Sequence, residues 1–191
     1  VLLQLASDCS ELDVYSSFAW LSVESHLVRP QLKLQGSLFL KASRHLVVER
    51  FASFVANDIS LSEGGCLLLT GPNMAGKSTL MRQIAITAIM AQIGCFVPAD
   101  QAEMPIFDHI FTRIGASDHL TEGLSTFMVE MTETAEMLKG AGPQSLVILD
   151  EIGRGTSTFD GMSLAQAILE HLLTRCRSYT LFATHYHELT G

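Results

Sequence analysis

Long apolar runs are missing from this sequence. A membrane-spanning helix needs about 18–20 consecutive apolar residues. The longest apolar-rich stretch, Ile84 to Ile93, is interrupted by Thr87 and Gln92, so no membrane segment is expected. Basic residues are scarce as well. Twelve Lys and Arg stand against twenty Asp and Glu, for a net charge of −8. An acidic domain repels phosphate backbones, which argues against this segment being the main surface for a nucleic acid. It does not argue against a basic surface elsewhere in a longer protein, or against a local donor cluster for a metal-bound nucleotide. The four cysteines, Cys9, Cys66, Cys95 and Cys176, form no metal-type or redox pair in sequence. Buried free thiols in a reducing compartment are expected, with Cys66 and Cys95 in apolar surroundings. The first eleven residues lack a basic start and carry Asp8 and Glu11, unlike a signal peptide. With no starting Met, the chain is expected to be a piece of a longer protein.

What is present suits a packed domain. Hydrophobic residues make up 48% of 191 residues and charged residues 17%. That is enough to bury one core of ordinary size, with or without a fragment of a neighbour. Leu2, Leu5, Cys9, Leu12 and Ala19 recur at helical spacing and predict an amphipathic helix over 1–24. Pro30 ends helical structure. The alternation around Gly36-Ser37, with Leu32, Leu34, Leu38 and Leu40, predicts a hairpin, and 45–49 a further short strand. Residues 57–61 lead into a turn at Glu63-Gly64-Gly65.

From Cys66 the pattern changes to strands alternating with helices. Strands are expected over 66–70, 146–149 and 179–183, and helices over 79–93 and 126–139. The 126–139 helix should turn Met128, Met131, Ala135 and Leu138 inward, with Glu133 and Glu136 outward. A further helix, capped by Asp160, should pack through Ala165, Ile168, Leu169 and Leu172. Apolar strands without polar alternation, separated by helices, imply an α/β domain with a largely parallel sheet. The hairpin adds a small antiparallel β portion near the N-terminus.

The strings that carry chemistry lie in this second part. Gly71-Pro72-Asn73-Met74-Ala75-Gly76-Lys77-Ser78 follows an apolar strand and opens a helix, matching G-x-x-x-x-G-K-[ST] in its required context. Backbone N–H groups and a helix N-terminus converge there on an anion. Lys77 can reach the β- and γ-phosphates of a nucleotide, and Ser78 can ligate Mg²⁺. Leu146-Val147-Ile148-Leu149 then ends in Asp150-Glu151, at the sheet edge where open α/β sheets bind ligands. Asp150 suits the metal and Glu151 suits the attacking water. An apolar strand ending in acids is weak alone and gains its value from the preceding loop.

Other positions stay open on local chemistry. Gly153-Arg154-Gly155-Thr156-Ser157-Thr158 is either a flexible turn or a functional loop near phosphates. His185 at a strand end could donate to a γ-phosphate or serve only as a structural hydrogen-bonder. Ser125-Thr126 is a helix cap or a second anion site. Phe54 is core or a purine-stacking ring.

Taken together, GPNMAGKSTLMRQ at 71–83, FTRIGASD at 111–118, STFMVEMTETAEML at 125–138, DEIGRGTSTFDG at 150–161 and THYHEL at 184–189 resemble the ATPase domain of the MutS family of DNA mismatch-repair proteins. The likeness runs from about Phe51 to the end. Residues 1–28 are more loosely similar to the end of the helical core, or lever, that precedes it. Residues 29–191 would then be the ATPase domain, truncated before the C-terminal dimerisation helices.

The resemblance implies a P-loop NTPase of the ABC ATPase type, in which two domains close face to face around two nucleotides. It implies that 71–79, through Thr79, cradle ATP or ADP phosphates, with Asn73 near the γ-phosphate. Phe54 would stack on adenine, Ser125 would face the ATP of a second subunit, and His185 would sense the γ-phosphate. Implied partners are a second MutS-type subunit, identical or a paralogue; mismatched double-stranded DNA, through regions outside this sequence; and a downstream MutL-type repair protein. The implied location is cytoplasmic, or nuclear in a eukaryote. Where the family shows Gly-Arg-His-Pro-Val-Val-Glu this chain has Ser43-Arg44-His45-Leu46-Val47-Val48-Glu49, and Leu124 replaces a commoner polar residue. The activity expected is Mg-dependent hydrolysis of ATP to ADP and phosphate. The alternatives are another ABC-type motor, which Ser125-Thr126-Phe127 argues against, and a nucleotide-gated dimerisation module, which has no need of Glu151.

Overall fold

A computed structural model describes residues 1–72, 75–115, 126–153 and 156–190, apart from the side chains of Thr126, His187 and Thr190. Its elements in chain order are α1 (Leu2–Glu24), β1 (Gln31–Lys33), β2 (Leu38–Ser43), β3 (Asn57–Leu61), β4 (Cys66–Thr70), α2 (Lys77–Gln92), β5 (Gln101–Pro105), β6 (His109–Arg113), α3 (Thr126–Gly140), β7 (Ser145–Asp150), α4 (Thr158–His171) and β8 (Tyr179–Thr184). Two four-stranded sheets result. One is mixed, in the order β1-β5-β2-β3, and the other is parallel, in the order β4-β8-β7-β6.

β7 shows why the parallel sheet is buried on both faces. Leu146 and Ile148 join one apolar cluster with Met81, Ile84 and Ala88 of α2 and with Leu38, Leu40 and Ile59 of the mixed sheet. Val147 and Leu149, pointing the other way, join Met137 of α3 and Ala165, Ile168 and Leu172 of α4. Side chains alternate along a strand, so a run with no polar alternation needs apolar cover on both sides. Here α2 covers one face and packs against both sheets, while α3 and α4 cover the other. The sheets are tied further by Tyr179, whose hydroxyl donates to the Gly36 carbonyl and whose ring meets Phe107 edge-on at 5.4 Å.

Several local expectations are corrected. The turn at Gly36 exists, but β1 and β2 do not pair with each other. β5 lies between them, parallel to β1 and antiparallel to β2. Residues 45–49 form no strand; they make a turn that enters a short 3-10 segment, Val48–Arg50. α1 is helical as expected, yet none of its residues is buried, and Leu2, Leu3, Leu5, Leu12 and Trp20 are exposed. In α3 the buried positions are Glu130, Thr134 and Met137, whereas Met128 and Ala135 are exposed. The Ser157 hydroxyl, not Asp160, caps α4: it accepts the Asp160 N–H and donates to the Asp160 carboxylate, which stands three residues inside. Cys95 and Cys176 are buried, but Cys9 is exposed. Burial pushes the Cys66 thiol up to about 12. Among the described residues no helix is long and apolar enough to cross a membrane.

Candidate functional site

The site forms because β4, β8 and β7 run parallel and in register. Thr70 pairs with Thr184, and Ala183 with Asp150. The loop after β4, the carboxylates at the end of β7 and His185 after β8 therefore open on one edge of the sheet. Strand ends set side by side bring residues distant in sequence within reach of one ligand.

The loop after β4 bends at two left-handed glycines, Gly71 at φ +135° and Gly76 at φ +86°. Among the described residues a Cβ at either would meet no atom within 4 Å, so the requirement seen there is conformational rather than steric. Pro72 accepts the Ala75 N–H at 3.2 Å, closing the loop as it enters α2. Asn73 and Met74 lie outside the described residues. The first residue of α2, Lys77, is buried to 8% exposure, and its ammonium donates to the carbonyls of Gly71 (2.6 Å) and Pro72 (3.1 Å). It also lies 3.6 Å from Glu151 Oε1. The next residue, Ser78, donates through Oγ to Asp150 Oδ2 at 2.5 Å.

Asp150 thus has one oxygen engaged. Among the described residues its other oxygen, Oδ1, which is buried, has no hydrogen-bond partner. A buried acceptor of that kind is costly unless something meets it, and with the Ser78 hydroxyl it makes a hard oxygen donor pair of the sort Mg²⁺ takes. Among the described residues no group of three or more His, Cys, Asp or Glu could hold a metal unaided. Magnesium commonly binds through one or two protein oxygens together with substrate phosphates, so the donor set fits it.

Glu151 has a left-handed backbone, φ +58°, fixed by its N–H donating to the Ala183 carbonyl at 2.9 Å. Such a conformation costs a non-glycine residue about 1–3 kcal/mol and recurs at functional sites. Here it turns the chain sharply after β7, with the carboxylate on the Lys77 side. His185 is exposed at the end of β8, its ring 4.1 Å from that of Tyr186.

Phe54 enters from the other sheet. It lines a cleft of about 390 Å³ together with Val55, Asn57, Leu69, Lys77 and Thr79. The expected stacking ring and the expected phosphate loop therefore share one cavity, although 16 residues lie between Phe54 and Gly71 in the sequence. A larger cavity, about 760 Å³, lies between β6 and α3 beside the Arg113–Glu133 ion pair. It contains none of the phosphate-loop groups or the β7 carboxylates. Ser125, Arg154 and Gly155 fall outside the described residues.

One participant escaped the sequence reading. Glu130 of α3 is buried and accepts the Gly153 N–H at 2.8 Å, two residues beyond Glu151. Gly153 has φ +88°, and a Cβ there would meet the Gly161 backbone oxygen at 2.8 Å. The Tyr186 hydroxyl reaches the Gly153 carbonyl at 3.5 Å. One residue, Gly153, thus brings α3, α4 and the segment after β8 together at the turn that follows β7. The available signal is a charged residue on the helical face of Phe127, Met131 and Met137.

Comparison with known proteins finds a matching family model and similar proteins. The MutS domain V family model matches residues 67–191. The chain is 59% identical over 191 residues to the DNA mismatch repair protein MutS of Halalkalibacterium halodurans, covering 98% of this chain and 22% of that protein. It is 56% identical over 193 residues to the protein of that name from Listeria monocytogenes serovar 1/2a, covering 99% and 22%. For Caldicellulosiruptor bescii the identity is 53% over 192 residues, covering 97% and 22%. The chain therefore spans about a fifth of the length of these relatives.

Proposed function

This chain belongs to the MutS family, and on that premise we propose that it is an ATP-binding and ATP-hydrolysing unit of the P-loop, ABC ATPase type. The observation that carries the reading is the convergence at one sheet edge. Lys77 stands 3.6 Å from Glu151, Ser78 is bonded to Asp150, and a buried Asp150 oxygen has no hydrogen-bond partner among the described residues.

In this reading ATP lies along the cleft with adenine against Phe54 and phosphates in the 71–79 loop. Lys77 exchanges its bonds to the Gly71 and Pro72 carbonyls for oxygens of the β- and γ-phosphates. Ser78 and Asp150 hold Mg²⁺, which when bound neutralises phosphate charge. Glu151 orients a water and takes its proton as the water oxygen bonds to the γ-phosphorus. The bond from that phosphorus to the β–γ bridging oxygen breaks, giving ADP and phosphate. His185, at the neighbouring strand end, donates to the γ-phosphate, and Ser125 completes the site of a second MutS-type subunit.

Residues 1–28 belong in this reading to a lever that precedes the ATPase unit at 29–191. The names of the relatives support a role in DNA mismatch repair. Nucleotide state would switch the parent protein on mismatched DNA and its engagement of a MutL-type partner.

Glu151→Gln tests the chemistry. It keeps the side-chain shape and removes the base, so ATP should still bind while phosphate release falls by roughly 10²-fold or more. Hydrolysis at the parent rate would make Glu151 structural.

A further inference from the structure

Arg44 makes contacts that the ATPase reading leaves unexplained. It follows β2 directly, and its backbone N–H donates to the Pro98 carbonyl at 2.8 Å. Its guanidinium reaches two separate parts of the chain. Nη1 donates to both Glu49 oxygens, at 2.9 and 3.0 Å. Nη2 donates to the carbonyls of Ser25 (2.8 Å) and His26 (3.2 Å), where α1 ends.

Each arm has a physical reason. Ser25 and His26 lie just past the last helical residue, Glu24, at the negative end of the helix dipole, so a cation there is favourable. A planar guanidinium can also fork onto a carboxylate while its other nitrogen binds elsewhere, which an ammonium cannot reproduce. Both partners are half-buried, at 28% and 21% side-chain exposure, so solvent screening weakens this pair less than a fully exposed one.

The two arms lead to different places. Glu49 sits in the 3-10 segment just ahead of Phe54. His45, adjacent to Arg44, is buried, accepts the Val48 N–H at 3.4 Å and meets the Phe54 ring edge-on at 6.3 Å. The other arm holds α1, a helix of 23 residues with none buried. At 1.5 Å per residue it is about 35 Å long. Near its end it packs on the core through Phe18 and Leu21. A long arm attached at one end transmits a tilt to whatever grips that end.

We propose that Arg44 is a positioning residue: it holds the Phe54 wall of the cleft in place and couples that wall to the end of α1. The proposal rests on the reading that the cleft binds ATP. Arg44 does not line the cleft and acts only through Glu49 and His45. Its loss therefore affects binding of the base and spares the phosphate chemistry.

The test uses the whole chain with Arg44→Ala, Arg44→Lys and Glu49→Gln, with melting curves as the folding control. The probes are ADP and inorganic tripolyphosphate, which has no base. Removing a charge-assisted bond of this kind is expected to weaken ADP by roughly tenfold. Tripolyphosphate affinity and kcat at saturating ATP should stay within about twofold of the parent, well inside that effect. Arg44→Lys should resemble Arg44→Ala. ADP affinity unchanged in a folded Arg44→Ala protein overturns the proposal, as does equal loss for ADP and tripolyphosphate.

Should Arg44→Ala not fold, Glu49→Gln decides the same way, because it leaves the bonds to α1 intact. For the coupling, the chain's one tryptophan, Trp20, lies on α1. ADP should change its emission in the parent and not in Arg44→Ala. No change in the parent, or the same change in both, overturns the coupling. A parent that binds neither probe overturns the nucleotide reading itself.

Discussion

β4, β7 and β8 run parallel and end together, so three short connections deliver Lys77, Asp150, Glu151 and His185 to one edge. β2 and β3 run antiparallel, and the segment between them, residues 44–56, carries Phe54 to the same cleft. The first arrangement is locked by bonds among the functional groups themselves. The second is held from outside the cleft, by Arg44, Glu49 and His45. On the proposed reading, a site assembled from both could tune base affinity by moving one wall while the groups at the phosphates stay fixed. The parallel sheet should therefore govern chemistry and the mixed sheet should govern affinity.

Lys77→Ala should produce the largest effect. It removes a buried cation from the phosphate side, and kcat/KM for ATP should fall by roughly 10²-fold or more, on the scale of losing a transition-state donor. Steady-state phosphate release at the parent level would break the comparison at its stronger half. Gly153→Ala probes how the turn after β7 is braced. A methyl there meets the Gly161 backbone oxygen at 2.8 Å in a backbone already at φ +88°. Stability should drop by about 2–4 kcal/mol, read from the shift of a denaturant midpoint. A midpoint within error of the parent would show that the Gly153–Gly161 approach is not a constraint.

The same contrast explains what could be read in the sequence. Gly71 to Ser78 and Leu146 to Glu151 are contiguous strings in which strand, turn and side chains are neighbours in sequence, so β7 and the entry into α2 are legible there. The β1–β5–β2 order is not local. β5 is a short segment, Gln101-Ala102-Glu103-Met104-Pro105, with nothing in its composition to say that it slots between two strands some sixty residues earlier. Leu32 and Leu40 therefore suggest a hairpin that does not form. α1 misleads differently. Its apolar spacing is real, but spacing cannot say which surface covers it, and within this chain most of that stripe is exposed. Glu130 is not legible in the sequence, because a carboxylate on that helical face makes sense only once the Gly153 N–H is placed beside it.

Phe54→Ala should have the smallest effect and the most telling one, because it acts on one half of the cleft. Base stacking on an aromatic ring contributes about 1–3 kcal/mol, so ATP affinity should weaken by roughly tenfold. The direct test of the division is to measure dissociation constants for ATP and for Mg-tripolyphosphate on the parent and on Phe54→Ala. If the two sheets hold separate halves of the site, the substitution weakens ATP alone and leaves tripolyphosphate at its parent affinity. Equal weakening of both, or of neither, would contradict the account.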